Sequence, residues 1–180
     1  MSLPREPQTA KLVVGLLFRE QRIQQQALNA LTERFGPVDF LTEPKLFTFT
    51  DYYEKEMGTS LYRQTGSFAQ LVRQESLPDI KMFTNKLEAE FSEESRRKVN
   101  IDPGLLSEER LVLATGKNYI HRIYLRSGIY ADLTLIYQEG AYRALPWTYP
   151  DYREPDLLHF LGVLRRKLIY QRTNRLSRKV

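Results

Sequence analysis

The side chains able to do chemistry are concentrated between positions 102 and 151. Lys117 and Arg122 are natural anion ligands, Arg through a planar fork that matches phosphate or carboxylate. His121 stands beside Arg122 and adds an imidazole. Asp102 and Asp132, with Asp51 from an earlier acidic cluster (Asp51, Glu54, Glu56), could share a divalent cation. Oxygen donors of this kind would take Mg²⁺, Mn²⁺ or Ca²⁺, with Mg²⁺ the usual companion of phosphate. Trp147, Tyr149 and Asp151 lie in a proline-stiffened loop, PWTYPDY at 146–152, whose rings could stack a base or sugar. Gathered on one surface, these residues would hold a phosphorylated or nucleotide small molecule.

Each also has a structural reading. Arg122 can be neutralised by Asp132, His121 can sit in a core, and Lys117 can simply follow a helix end, where a cation is favoured by the dipole. Asp102 suits a turn, residues 51–56 suit a solvated loop, and 146–152 could lock a following helix onto a sheet.

No complete catalytic motif is present. Zero cysteines removes disulfides, thiolate metal sites and Cys nucleophiles, and two histidines are too few for a multi-histidine zinc site. A P-loop needs Gly-x4-Gly-Lys-Ser/Thr; Thr115-Gly116-Lys117-Asn118 lacks the first Gly and the hydroxyl residue. Asn85-Lys86-Leu87-Glu88 is a poor match to a guanine-reading Asn-Lys-x-Asp, since it falls inside a helical pattern and ends in Glu.

The elements that must position these residues can be read from periodicity. Residues 119–125 and 129–137 alternate, separated by Arg126-Ser127-Gly128, a β-hairpin signal. A three-residue loop with Gly128 left-handed sets Leu125 against Ile129, Ile123 against Ala131 and His121 against Leu133 on an inward apolar face. Tyr124 then faces Tyr130, Arg122 faces Asp132 and Ile120 faces Thr134 on the outward face. A two-residue loop would oppose Arg122 to Leu133, so the longer loop is preferred. Glu139-Gly140 leads into 141–145 and completes a three-stranded meander. Upstream, Val99 to Ile101 should be extended, Asp102-Pro103-Gly104 a turn, and Ser107 the N-cap of a helix running to Thr115.

Earlier in the chain, KLVVGLLF at 11–18 reads as a strand covered on both faces. A helix follows from about Arg19, with Ile23, Ala27 and Leu31 on one stripe, and Gly36-Pro37 stops it. With the strand 38–41 this forms a strand–helix–strand unit whose strands should run parallel. Residues 45–50 and 61–72 are extended, Gly66 marking a bulge, and Pro78 opens a helix striped by Ile80, Phe83, Leu87 and Phe91. Pro155 opens the last, with Leu157, Leu161, Leu164 and Leu168 in register. The expected class is α+β: a mixed, largely antiparallel sheet with the N-terminal strand–helix–strand unit, the C-terminal meander and a long C-terminal helix. Residues 1–10 read as a disordered lead, 11–170 as one domain, and 171–180 as a basic, frayed tail.

The net charge of +5 is a property of that end of the chain. Arg165, Arg166, Lys167, Arg172, Arg175, Arg178 and Lys179 occur without an acid, which leaves 20 basic against 22 acidic residues elsewhere. Such a helix could bind nucleic acid electrostatically, although a solvated helix face is the plainer reading. Its leucine stripe could instead build a homodimer. No apolar run approaches a membrane span and no signal-peptide core opens the chain, so the expected setting is cytoplasmic.

Four segments carry a resemblance: FTFTDYYEKEMG at 47–58, IKMFTNKLE at 80–88, VNIDPGLLSEERLVLATGK at 99–117, and HRIYLRSGIYADLTLIY with LPWTYPDYR at 121–153. With them the chain resembles an uncharacterised family of bacterial and archaeal proteins of about this size, catalogued as a domain of unknown function. The resemblance spans nearly everything except the two ends. It implies a GTP-binding label, sometimes given to members, and supplies no catalytic residues.

Overall fold

The computed structural model describes residues 1–94 and 96–175. Its centre is β1 (Ala10–Phe18), an apolar strand with all nine residues buried, as the unbroken hydrophobic run requires. β1 pairs with β4 (Tyr62–Val72) on one side and β5 (Val99–Leu106) on the other. The full order is β2 (Val38–Leu41), β4, β1, β5, β6 (Arg110–Thr115), β8 (Ile129–Gln138) and β7 (Arg122–Arg126). Short strands β3 (Lys45–Leu46) and β9 (Ala141–Ala144) pair with β4 and β8. Every pair is antiparallel. β1 and β2 do run parallel, because both oppose β4, which is inserted between them.

Helices cover both faces. α1 (Gln21–Phe35) and α3 (Leu77–Glu90) pack Ala27, Leu28, Leu31, Ile80 and Leu87 against Leu12, Val14, Leu16, Val99 and Ile101. On the opposite face α4 (Pro155–Thr173) lays Leu161, Leu164 and Leu168 on Val13, Leu106, Leu111 and Leu135. Full burial of each leucine contributes about 1.5–3 kcal/mol, and all three are fully buried. The leucine stripe is thus covered by the chain's own sheet and is not open to a second copy. Beside α4 the same face carries a smaller cluster of Leu17, Met57 and Leu61, under Phe47 and Tyr53. It anchors a segment containing the one-turn helix α2 (Glu54–Met57). Residues 1–9 carry no regular structure.

Several expectations change. Ser107 does not cap a helix: 107–110 is a tight turn, with Ser107 N donating to Arg110 O at 2.9 Å and Ser107 Oγ to Glu109 Oε2 at 2.7 Å. The residues after it, LVLAT, are β6, where two strand neighbours outweigh the local acidic helix signal. Asp102-Pro103-Gly104 lies within β5 rather than in a turn. The irregularity in β4 falls between the pairs Lys11–Leu71 and Val13–Ser67, not at Gly66. Only Lys45 and Leu46 of 45–50 are a strand. The hairpin keeps its expected pairs Arg122–Asp132, Ile123–Ala131 and Tyr124–Tyr130, then shifts so that Arg126 opposes Ile129. β7 and β9 share one edge of β8 end to end, since β6 occupies the other. β7 is a sheet edge with no covering layer, so Ile123 and Leu125 face solvent rather than a core.

Lys11 is fully buried. Its ammonium donates to Asp39 Oδ2 at 2.7 Å, Phe68 O at 2.8 Å and Gln171 Oε1 at 3.1 Å. Burial lowers its pKa, against the pull of Asp39. All three donors are matched, so the ion pair ties β1 to β2, β4 and α4. Lys11→Ala should cost about 3 kcal/mol in urea unfolding, because it removes the ion partner of the partly buried Asp39 carboxylate. The Lys11→Ala, Asp39→Ala double variant should lose less than the two single losses added.

Candidate functional site

Pro103 decides where the sheet opens. Ile101 N and O turn away from β1, so the odd positions of β5 point toward β6. Pro103 is the next odd position and has no N–H to give. The β5–β6 ladder accordingly ends at Gly104 paired with Leu113. Below it the strands part and α3 fills the gap with side chains: Lys81 Nζ donates to Ile101 O at 2.9 Å and Glu88 Oε1 accepts from Ile101 N at 2.7 Å. Two charged side chains thus stand in for a missing strand.

The parted strands leave a cleft of about 750 Å³. Its floor is one connected polar network. Arg97 binds Glu56 through Nε and Nη2, both at 2.7 Å, and reaches Glu88 Oε2 at 3.1 Å and Asn100 Oδ1 at 2.8 Å. Asn100 Nδ2 donates to Asp102 Oδ2 at 2.8 Å, which also accepts from Arg63 Nη1 at 2.9 Å. Arg63 continues to Tyr152 OH at 3.0 Å, and its Nε lies 3.3 Å from Asp151 Oδ2. Gly15 makes room for this crossing: a Cβ there would stand 2.6 Å from Arg63 Nη2. Arg63 Nε is buried without a hydrogen-bond partner among the described residues.

The mouth of the cleft is aromatic. Phe47, Phe49, Tyr52 and Tyr53 line it from the segment before β4, and Phe47 packs on both Phe49 and Tyr53. Lys117 crosses to that wall, donating to Tyr52 OH at 2.8 Å with its ammonium 4.8 Å from the ring centre. The hydrogen bond from Lys117 lowers the Tyr52 pKa.

Electrostatics divides the carboxyls of the floor. Burial pushes Asp102 up, but Arg63, Lys81 and the Asn100 amide outweigh it and hold the group below the usual range. Burial wins at Asp151 and at Glu88, whose pKa values are raised despite Arg63 and Lys81 respectively. The Arg97 fork lowers Glu56.

The sequence-derived residues fall into two groups. Lys117, Asp102, Asp132, Tyr149 and Asp151 all line the cleft. Arg122 stands directly behind them, donating to Asp132 Oδ2 at 2.8 Å, Lys117 O at 3.0 Å and Tyr149 OH at 2.5 Å. His121 does not oppose Leu133. It sits in the turn before β7, with Nε2 3.3 Å from Asp132 Oδ2 and its ring stacked on Trp147 at 4.9 Å. Trp147 donates to Leu133 O at 2.7 Å. These two brace Asp132 and the loop from outside the cleft. Asp51 is exposed and outside the lining. Among the described residues no group of three His, Cys, Asp or Glu is placed to hold a metal ion, and Asp102 and Asp132 are each engaged by arginine.

Two residues of the basic end are engaged within the chain. Arg165 donates to Glu108 O at 2.8 Å and lies over the Tyr137 ring at 3.7 Å; Arg172 pairs with Glu108 at 2.9 Å. Lys167 is half-buried, Arg166 and Arg175 are exposed, and Arg178 and Lys179 lie outside the described residues. No helix among the described residues is long and apolar enough to cross a membrane.

Sequence reasoning missed Arg63, Lys81, Glu88 and Arg97. A signal existed in α3. Lys81, Thr84 and Glu88 recur at helical spacing beside the apolar stripe, and all three are buried. Asn100 and Asp102 likewise share one face of β5, two residues apart. Arg63 and Arg97 had no local signature.

A protein-family profile matches residues 8–168 of the chain. The chain belongs to the family described as Domain of unknown function (DUF4416). No curated protein and no solved structure matches it. For this DUF4416 chain the site must therefore be read from its own geometry. Neither segment that could evoke a GTP site has the required shape. Gly116 and Lys117 follow a strand and open no helix, while Asn85 and Glu88 lie within α3.

Asp102 has a depressed folded-state pKa, so its contribution to stability is complete above the unfolded value near 3.9 and is lost as pH falls through the folded value. Asp102→Asn should be less stable than wild type at neutral pH. The gap in urea midpoint should narrow as pH falls below about 4; a gap constant with pH would contradict the assignment.

Proposed function

We propose that the cleft binds a ring-bearing small molecule carrying one phosphate, a nucleoside monophosphate in type. The observation that carries this reading is Lys117. The other lining cations, Arg63, Lys81 and Arg97, each have carboxylate partners. Among the described residues Lys117 has only the Tyr52 phenol. It is the cation with charge to offer, and it stands against the aromatic wall where a ring would lie.

The charge count limits the ligand. Four basic side chains (Arg63, Lys81, Arg97, Lys117) and four acidic ones (Glu88, Asp102, Asp132, Asp151) line the cleft. Arg63, Lys81 and Arg97 are matched by carboxylates, so among the described residues Lys117 is the lining cation left to meet one or two negative charges. That suits a mono- or dianionic phosphate and disfavours a triphosphate. Asn85 adds an amide of the kind that reads a base edge.

The test is a thermal-shift screen of nucleoside monophosphates, triphosphates and inorganic phosphate, with and without Mg²⁺. A monophosphate at 100 times its Kd should add about 2.7 kcal/mol, roughly 5–10 °C in Tm for a chain of this size. Lys117→Ala should weaken binding about tenfold or more, a loss of about 1.4 kcal/mol. Absence of any monophosphate shift, or equal binding by Lys117→Ala, would refute the reading.

A further inference from the structure

The free edge of the sheet beyond β8 is apolar. β7 pairs with β8 and forms the border of the strand order. Between Tyr119 and Leu125 five large apolar side chains stand in solvent: Ile120 is 94% exposed, Ile123 70%, Tyr119 63% and Tyr124 58%, with Leu125 exposed beside them. Edge strands are ordinarily guarded by charge or proline. Here the two arginines that bound the strand are turned to carboxylates of their own chain, Arg122 to Asp132 at 2.8 Å and Arg126 to Asp79 at 2.6 Å.

The backbone of this edge also has bonds to offer. Leu133 O accepts from Trp147 Nε1 on the β7 side of β8, so the odd positions of β8 turn toward β7. Ile123 stands opposite Ala131 and takes the ladder bonds. The even positions of β7 therefore turn outward. Arg122 N accordingly donates to Tyr119 O of the preceding turn at 3.0 Å. Tyr124 N–H and C=O point the same way, out past the last strand.

We infer that β7 is a homodimer interface: two copies of this chain pair their β7 strands antiparallel about a twofold axis at Tyr124, making one sheet continuous through both. The two Tyr124 residues exchange N–H···O=C bonds. Ile123 then stands opposite Leu125 of the second copy, a pair without ladder bonds, where side chains come closest. The axis repeats that pair, so four aliphatic side chains close into one cluster. On the other face the two Tyr124 rings meet, each already edge-on to its own Tyr130 at 5.3 Å.

Charge and area both favour a second copy as the occupant. The axis sets Arg122 against Arg126 of the second copy, and each is already matched by its own aspartate, so no uncompensated charge enters the interface. An acidic segment would find both guanidinium groups taken. The exposed apolar side chains offer roughly 600 Å² per copy, at about 200 Å² for one large side chain. Over both copies that is about 1,200 Å², the lower end of stable interfaces. Each copy spends this edge on the other, so the assembly closes at two. The inference is independent of what the cleft binds.

Sedimentation velocity of the full chain over a range of concentrations tests it. Wild type should pass from monomer to dimer with a Kd on the order of 1 μM and form nothing larger. Tyr124→Pro removes an N–H that faces outward, so the chain's own ladder is kept and Tm should stay near that of wild type. Its Kd should rise about 100-fold or more. Ile123→Asp should weaken association to a similar degree. The double variant Ile123→Asp, Leu125→Lys should associate about tenfold more tightly than Ile123→Asp alone, since the axis sets each new acid against the new base of the second copy. That recovery reports the register and not general stickiness. Four outcomes would each overturn the proposal: a wild type still monomeric at about 100 times the expected Kd, a dimer indifferent to Tyr124→Pro and Ile123→Asp, no recovery in the double variant, or growth beyond the dimer.

Discussion

A missing N–H organises this molecule. Pro103 lies in a strand flanked on both sides, where proline is ordinarily excluded because it removes a ladder hydrogen bond. Here the removed bond is the one that would have carried the β5–β6 ladder past Gly104. With the ladder stopped the two strands diverge, and the backbone of Ile101 must find other partners or remain unpaired in a buried setting. Lys81 and Glu88 supply them. The cleft, its charged floor and the inward polar face of α3 all follow from that local substitution of side chain for strand.

Burying charge in this way is stable only if the network is complete. A buried ion stripped of partners costs several kcal/mol, while a satisfied chain of charges can come close to neutral. From Glu56 to Tyr152 the floor alternates in sign, Arg97 between two glutamates and Arg63 between two aspartates. The neutral links are Asn100 and the Tyr152 phenol. The incomplete position is at Arg63 Nε and Asp151, next to open volume, where a polar ligand or water has something left to satisfy. Gly15 belongs to the same logic: the guanidinium crosses β1 only because no side chain rises beneath it.

Much of the fold was legible because its signals are local and periodic. The buried run of β1, the stripes of α1 and α4, and the 122–132 hairpin register all come from spacing alone. Where the reading failed, long-range pairing overrode a local preference. Ser107 followed by two glutamates is a fair helix start by chain chemistry, yet 107–110 is a turn because β6 has strands to join on both sides. The site was half legible for the same reason. Lys117, Asp102, Asp132, Tyr149 and Asp151 all fall in the strand- and turn-rich stretch that periodicity picks out. Arg63 and Arg97 meet partners 39 and 41 positions away, a distance no spacing rule crosses. His121 falls outside the strand because the alternation at 119–125 begins three residues before β7 (Arg122–Arg126).

The segment that closes the cleft is held by two ties of unequal strength. Glu56 and Arg97 form a fork with two hydrogen bonds, partly shielded from solvent and continuous with the buried floor. Charge-assisted bonds of that type contribute about 1.5–3 kcal/mol each when shielded. At the mouth, Lys117 meets an exposed phenol and its ring, a contact of about 0.5–1 kcal/mol at such a site. Phe47 and Tyr53 seat the near end of the segment on Leu17, Met57 and Leu61, so that end is fixed by apolar burial as well. Tyr52 is therefore the part of the wall held least tightly. An anion bound by the Lys117 ammonium would compete with that phenol for it, so the weaker tie is the one a ligand acts on.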